Sequence, residues 1–293
     1  MSTQAIILVL ISACLHSAWN LFSKSSGDPI SFLLRALGFS AVVYAPLFAW
    51  MQLNANYTPQ TAGLLLGSGM LTGLYFFCLS KAYHHGQVSI AYPIARAFPI
   101  LVVMFGGLFL REFPSLQGLV GVVCIVGGCF VLPWRRFVLG PEGFCPAHYR
   151  NRSVAWAVAA ALCTAGFSLL DKVAASVMAE AEGFTFWDKV NYVYLQNFIA
   201  WLTAMACIKA VRYPIIRVAR KRAFACGVIF LLSYTLILMA LATDPVAYVV
   251  SFRQLSIVLA TLVAMWWIER DFTWPRFCGV TAIFIGVVLI GLA

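Results

Sequence analysis

Two arginines occupy positions where only apolar side chains are expected. AYPIARAFPIL (91–101) places Arg96 in an apolar run from Val88 to Leu110, and AYVVSFRQLSIVL (247–259) places Arg253 in another. A planar guanidinium suits bidentate binding of a carboxylate or phosphonate. A third charge, Asp171 in GFSLLDK (166–172), is the only carboxylate well inside an apolar run, which makes it the candidate for carrying a coupling proton. A charge at the centre of a bilayer costs about 2.5–3.5 kcal/mol on insertion scales, so such residues face a cavity or a partner. For the arginines the structural alternative is a tether, either to backbone carbonyls at a proline break or to Asp171. Pro93 and Pro99 flank Arg96 and free backbone groups beside it. For Asp171 the alternative is a structural pair with an arginine or with the neighbours of Lys172. Asp171 and Lys172 are adjacent and do not face each other on a helix.

Other polar residues share helix faces with one another. His16, Trp19 and Asn20 have i, i+3, i+4 spacing, and in NYVYLQN (191–197) Asn191, Tyr194 and Asn197 fall on one side. Both stripes are candidates for lining a cavity, with interhelical hydrogen bonding as the alternative. Tyr92 joins the candidate substrate residues, while Tyr75, Tyr234 and Tyr248 are weaker because tyrosines near span ends usually anchor at the interface. Glu112 and Glu269, each next to an arginine at a span end, read as caps or pairs with a possible second role in gating.

The elements that must hold these residues are transmembrane helices. The 293-residue chain is 62% hydrophobic and 10% charged, against about 45–50% and 25% in soluble domains. Apolar runs recur at 4–22, 30–51, 60–82, 88–110, 116–133, 153–177, 186–209, 223–242, 245–267 and 275–292. Each is long enough to cross a hydrocarbon core of about 30 Å, and the short alternating segments of a membrane barrel are absent. The predicted fold is therefore an all-α polytopic membrane protein of ten spans. The first run lacks a basic leader and a small-residue cleavage site, so it reads as a retained span and not a signal peptide.

The net charge of +10 reflects topology and not nucleic acid. Of twenty Lys and Arg, fourteen lie in or beside the loops after odd-numbered spans, among them Arg135, Arg136 and the run from Arg212 to Arg222. Only Arg111 and Lys189 lie on the other side, and Arg35, Arg96, Lys172 and Arg253 are inside spans. The positive-inside rule places the odd loops in the cytoplasm and both termini outside. Eight of nine cysteines fall in spans, and neither cysteines nor the four histidines show metal-ligand spacing, so no disulfide, metal or other cofactor is expected.

The chain repeats itself. An offset of 157 residues places Arg253 on Arg96 and Glu269 on Glu112. An offset of 158 aligns Gly279 and Gly286 with Gly121 and Gly128, and one of 148 aligns Lys172 with Lys24. Two five-helix repeats result, 1–133 and 153–293, joined by a basic loop over 134–152. Five is odd, so the second repeat enters the membrane from the opposite side. Inverted repeats of this kind characterise secondary transporters with a midplane site. Each arginine lies eight residues into its span, about 12 Å of helix rise, and the spans run oppositely, so both arrive near the bilayer centre. Pro93 and Pro99 align with Val250 and Ser256, so any proline hinge is expected in the first repeat alone. The paired glycines predict close packing of spans 5 and 10, or a homodimer contact there.

HSAWNLFSK (16–24), AYPIARAFPILVVMFGGLFLRE (91–112), AYVVSFRQLSIVLATLVAMWWIE (247–269) and the glycine-bearing LQGLVGVVCIVGGCFVL (116–132) and FCGVTAIFIGVVLIGL (277–292) together carry a resemblance. Their order and duplication resemble the drug/metabolite transporter superfamily, in particular its ten-helix members with two EamA repeats. That resemblance implies a multi-pass protein of the cell (inner) membrane, one that moves a small polar metabolite by alternating access, most readily as an exporter. The arginines favour an amino acid or another acidic or zwitterionic compound, and a proton or other ion is the expected coupling partner. The rival readings are an integral-membrane transferase, which would need an acidic or His-rich cluster at a membrane face, and a non-transporting membrane subunit.

Overall fold

The structure is a computed structural model, which describes residues 1–24, 26–52, 55–56, 58–85, 94–181, 184–263, 265 and 272–293. Helices dominate, and among the described residues the one β-type pairing is an isolated bridge between Leu139 and Phe144. In chain order the described α-helices are α1 (Thr3–Lys24), α2 (Pro29–Val43), α3 (Ala45–Met51), α4 (Pro59–His85), α5 (Pro99–Phe105, continued by a π-helical stretch Gly106–Leu110), α6 (Leu116–Val131), α7 (Pro146–Tyr149), α8 (Arg152–Glu180), α9 (Phe186–Ala210), α10 (Arg220–Thr243), α11 (Val246–Phe252), α12 (Leu255–Val263) and α13 (Trp274–Leu292).

Among the described residues five segments are long and apolar enough to cross a membrane: α4, α8, α10, Val246–Val263 and α13. A sixth is α2 with α3, if that pair, bent by 48°, is one span. The bend falls at Tyr44, and Pro46 sits in the first turn of α3, where a missing N–H is tolerated. Helix α9 is equally long, but Asn191, Gln196 and Asn197 lower its apolar content.

Side chains set several helix starts. Asp28 caps α2 by accepting the Ser31 N–H, with Pro29 at the first helical position. Ser115 accepts the Gly118 N–H at 3.1 Å to open α6, and Asp188 reaches back to the Thr185 N–H at 2.7 Å ahead of α9.

The chain forms two compact units, each drawing helices from both sequence halves. The first takes residues 78–165 and 245–293, and the second takes 2–77 and 166–244.

In the first unit α6 and α13 pack along each other. A Cβ added at Gly128 would lie 2.6 Å from the Gly279 carbonyl oxygen, and one at Gly286 would lie 2.5 Å from that of Gly121. The expected glycine faces thus meet each other within the chain, backbone to backbone. Tyr248 fills the space beside Gly118; its hydroxyl accepts the Ser115 N–H at 2.8 Å and donates to the Ser115 hydroxyl at 3.1 Å.

In the second unit α10 packs between α1 and α2. Gly227 permits this, because a Cβ there would meet the Ala36 carbonyl oxygen at 2.6 Å. A core of Trp19, Phe32, Leu37, Cys226 and Phe230 fills the interior. The Ser12 hydroxyl donates to the Ser233 carbonyl at 2.7 Å, an interhelical bond of the kind that stabilises apolar bundles.

Candidate functional site

Asp171 lies in the second unit, 0% exposed, at the meeting of four helices. Its Oδ1 accepts from the Ser68 hydroxyl of α4 at 2.6 Å and from the Tyr192 hydroxyl of α9 at 3.0 Å. Its Oδ2 accepts from the Gln196 amide of α9 at 2.9 Å and from the Tyr234 hydroxyl of α10. Gln196 also donates to the Ser68 hydroxyl at 2.6 Å, so the donors are linked to one another. No cation pairs with the carboxylate among the described residues.

The local sequence explains the convergence. Tyr192 and Gln196 are i and i+4, hence on one face of α9. Gly69 and Gly73 of α4 let α9 approach: added Cβ atoms would lie 2.7 Å from Ile199 and 2.6 Å from the Ala200 carbonyl oxygen. Thr72, one turn beyond Ser68, holds a buried hydroxyl with no hydrogen-bond partner among the described residues. Rings of Tyr75, Phe167 and Tyr234 close the neighbourhood, their centroids 6.0 and 6.2 Å apart in sequence. Four donors match the acceptor capacity of one carboxylate. For Asp171 to take up a proton, one hydroxyl must turn round and accept.

Lys172 points elsewhere. Its ammonium donates to the carbonyls of Leu241 at 3.0 Å and Asp244 at 2.9 Å, at the C-terminal end of α10, where a cation is favoured.

Arg96 and Arg253 lie together in the first unit, 3% and 4% exposed. Each sits at an interruption of its helix. Arg96 is the last helical residue before Ala97 and Phe98, after which α5 opens at Pro99. Arg253 follows the last residue of α11. Beyond it the bonds tighten to i→i−3: Gln254 N–H to Ser251 O at 3.0 Å, Ser256 N–H to Arg253 O at 3.1 Å and Ile257 N–H to Gln254 O at 2.8 Å. The second repeat thus also breaks, and does so without a proline. The two breaks are joined, because the Gln254 amide donates to the Arg96 carbonyl at 3.2 Å. The Arg253 guanidinium carbon lies 5.7 Å from the centroid of the Phe98 ring, within cation–π range. Near them the Ser251 hydroxyl and Gln254 Oε1 are buried with no hydrogen-bond partner among the described residues.

The remaining candidates are spread through both units. Trp19 Nε1 donates to His16 Nδ1 at 3.1 Å, an internal bond on the α1 face; the side chain of Asn20 lies outside the described residues. Asn191 accepts from Gln52 at 3.1 Å, and Tyr194 donates to the Ala41 carbonyl at 2.9 Å while stacking on Phe48. The Asn197 amide nitrogen is buried with no hydrogen-bond partner among the described residues. Glu112 accepts the Val246 N–H at 2.8 Å and so caps α11. Tyr92, Pro93 and Glu269 lie outside the described residues. Sequence reasoning missed Ser68, Tyr192 and Gln196, and rated Tyr234 low. The usable signal was the i, i+4 pair Tyr192/Gln196, one position away from the stripe chosen on α9.

Comparison with known proteins adds a family match over the first part of the chain and a shared fold. Residues 3–133 match the EamA-like transporter family. That match is consistent with the drug/metabolite transporter superfamily, and together with the long apolar helices it supports an integral membrane protein. No curated protein matches the sequence. A solved structure titled only as a crystal structure of a protein shares the fold: TM-score 0.73 at 19% identity, over 100% of this chain and 99% of the other.

Proposed function

We propose that the protein is a secondary transporter, an exporter of a small polar metabolite with an acidic or zwitterionic group. In this reading ten spans form two inverted five-helix repeats, 1–133 and 153–293, and alternating access proceeds about a midplane site between the repeats. The protein lies in the inner membrane with the basic odd-numbered loops cytoplasmic and both termini outside. The observation that carries the reading is the pairing of two buried arginines at helix breaks in a chain that bears an EamA-like domain. Broken helices expose backbone groups and bring charge to cargo at membrane depth.

Arg96 and Arg253 hold the acidic group of the cargo. His16, Trp19, Asn20, Tyr92, Asn191, Tyr194 and Asn197 line its path. Asp171 carries the coupling proton, and its four donors set the cost of taking that proton up. Pro93, Pro99, Glu112 and Glu269 shape or gate the ends of spans 4 and 9. A homodimer through spans 5 and 10 uses their outward residues, Leu119, Val123, Ile285 and Val288, since the glycine faces are occupied within the chain.

The test is a thermal-shift screen of purified wild type, Arg96→Gln and Arg253→Gln against amino acids, organic acids, phosphonates and cationic drugs, followed by liposome flux. A ligand at a hundredfold excess over its Kd stabilises the folded state by about 2.7 kcal/mol, a readable shift. Acidic or zwitterionic compounds should stabilise the wild type and lose that effect in folded variants. Strongest stabilisation by cations, or unchanged binding in both variants, would overturn the assignment.

A further inference from the structure

Arg35 is a span-embedded cation that takes part in neither the cage around Asp171 nor the break at Arg253. It lies in α2, six residues past Pro29 and so about 9 Å along the helix. Among the described residues its side chain makes one hydrogen bond, a long one of 3.5 Å to the Val218 carbonyl, and no carboxylate lies within ion-pair distance. Asp28, two turns back, is occupied by Ser31 and by the Tyr213 hydroxyl at 3.1 Å. A guanidinium offers five N–H donors, and most of these remain available.

Arg35 also lines an open groove of about 680 Å³ within the second unit, between α2 and α9. The volume falls within the roughly 300–1,000 Å³ usual for ligand sites. Apart from Ser31 and Tyr194 its other walls are apolar, with Phe39, Phe198, Trp201 and Ile215 among them. Ile215 belongs to the segment after α9, which is held against the start of α2 by the Ile216 N–H donating to the Ser31 hydroxyl at 3.0 Å. That segment is basic, with Arg212 and Arg217 followed by Arg220, Lys221 and Arg222. It also exposes Ile215 and Ile216, each 49%. Exposed isoleucines among arginines suit the boundary between headgroups and acyl chains.

We propose that this groove binds an anionic phospholipid, its acyl chain along the aromatic wall and its phosphate on Arg35. The charge complementarity is specific. A cation inside a span requires an anion or water at its head, and a groove open to lipid supplies a phosphate at that depth. The basic segment raises the local concentration of anionic lipid, and Arg35 selects the headgroup by bidentate contact. Tyr194, placed above on the cargo path, also lines the groove, so the test reads lipid retention at Arg35 and Gly38 and not transport.

Native mass spectrometry of the purified protein, equilibrated with equal amounts of phosphatidylglycerol and phosphatidylcholine, tests this. The wild type should retain the anionic lipid about fivefold over the zwitterionic one, the effect of one favourable charge near the surface. Arg35→Gln should abolish the preference, and Arg35→Lys should keep part of it. Gly38→Leu adds bulk to the groove wall at a position where a Cβ makes only ordinary contact, 3.5 Å from Trp201. It leaves Arg35 in place and should lower retention of both lipids. Equal retention of the two lipids by the wild type would overturn the site, as would a preference that survives Arg35→Gln. Unchanged retention in Gly38→Leu overturns it even if Arg35→Gln does not fold.

Discussion

Around Asp171 three helices, α4, α9 and α10, send four neutral donors to a single carboxylate on α8, while around Arg96 and Arg253 the helices themselves come apart. The second unit keeps α4, α8, α9 and α10 continuous and satisfies its buried charge with hydroxyls and an amide. The first unit interrupts the backbone at each of its arginines and ties the interruptions together through Gln254. An anion in an apolar bundle can be satisfied by side chains that also pack, because tyrosine and serine donate from compact groups. A guanidinium needs acceptors, and the nearest supply in an apolar helix is carbonyl oxygen released where i→i−4 bonding stops. The contrast separates a filled cage from an adaptable joint.

Removing the carboxylate tests the cage most severely. Asp171→Ala strips the common acceptor from four buried donors, each costing about 1–3 kcal/mol if left unpaired. Denaturant or thermal unfolding in detergent should show a loss of about 3 kcal/mol or more, with Asp171→Asn milder because one acceptor oxygen survives. A small loss would mean that the donors find other partners and that the cage is not a unit.

The joint should respond more gently. Gln254→Leu keeps the volume and removes one hydrogen bond to the Arg96 carbonyl, so about 1 kcal/mol of stability should go. If the variant falls as far as Asp171→Ala, the joint is as rigid as the cage and the distinction fails.

The smallest effect is expected at Asp244, a carboxylate beside the membrane span instead of within it. Burial alone would raise its pKa, but the Ser2 hydroxyl at 2.6 Å, the Ser2 N–H at 2.7 Å and the Thr243 hydroxyl at 2.9 Å outweigh that and hold it below the ordinary value. A depressed folded-state pKa contributes stability above the unfolded value of about 3.9, which is lost as pH falls through the folded one. Asp244→Asn should therefore be slightly less stable near neutrality and should flatten the acid limb of a stability–pH curve. An unchanged acid limb would place that titration elsewhere.

The charged members of both regions were legible because a charge in an apolar run stands out whatever surrounds it; Arg96, Arg253 and Asp171 all emerged this way. Their partners were not. Ser68 lies among glycines and leucines in LLLGSGML, and nothing local distinguishes it from a packing residue. Tyr192 and Gln196 lie in a band where almost every position is polar or aromatic, so periodicity alone admits two faces, and packing against α4 decides between them. The break after Arg253 was invisible for a different reason. Proline announces an interruption through covalent geometry, whereas here the tightening of Ser251–Ile257 comes with tertiary contacts that no single residue encodes. The pairing of Gly121 and Gly128 with Gly286 and Gly279 was readable because absence of a side chain is itself a pattern.

That glycine contact also bears on how the molecule can move. Each helix places its backbone where the other has no side chain, so sliding one past the other by a turn would drive the flanking isoleucines Ile125, Ile283 and Ile290 into carbonyl oxygens. In mechanical terms α6 and α13 are one beam. A relative slide of these two helices is therefore the one motion their contact resists most directly.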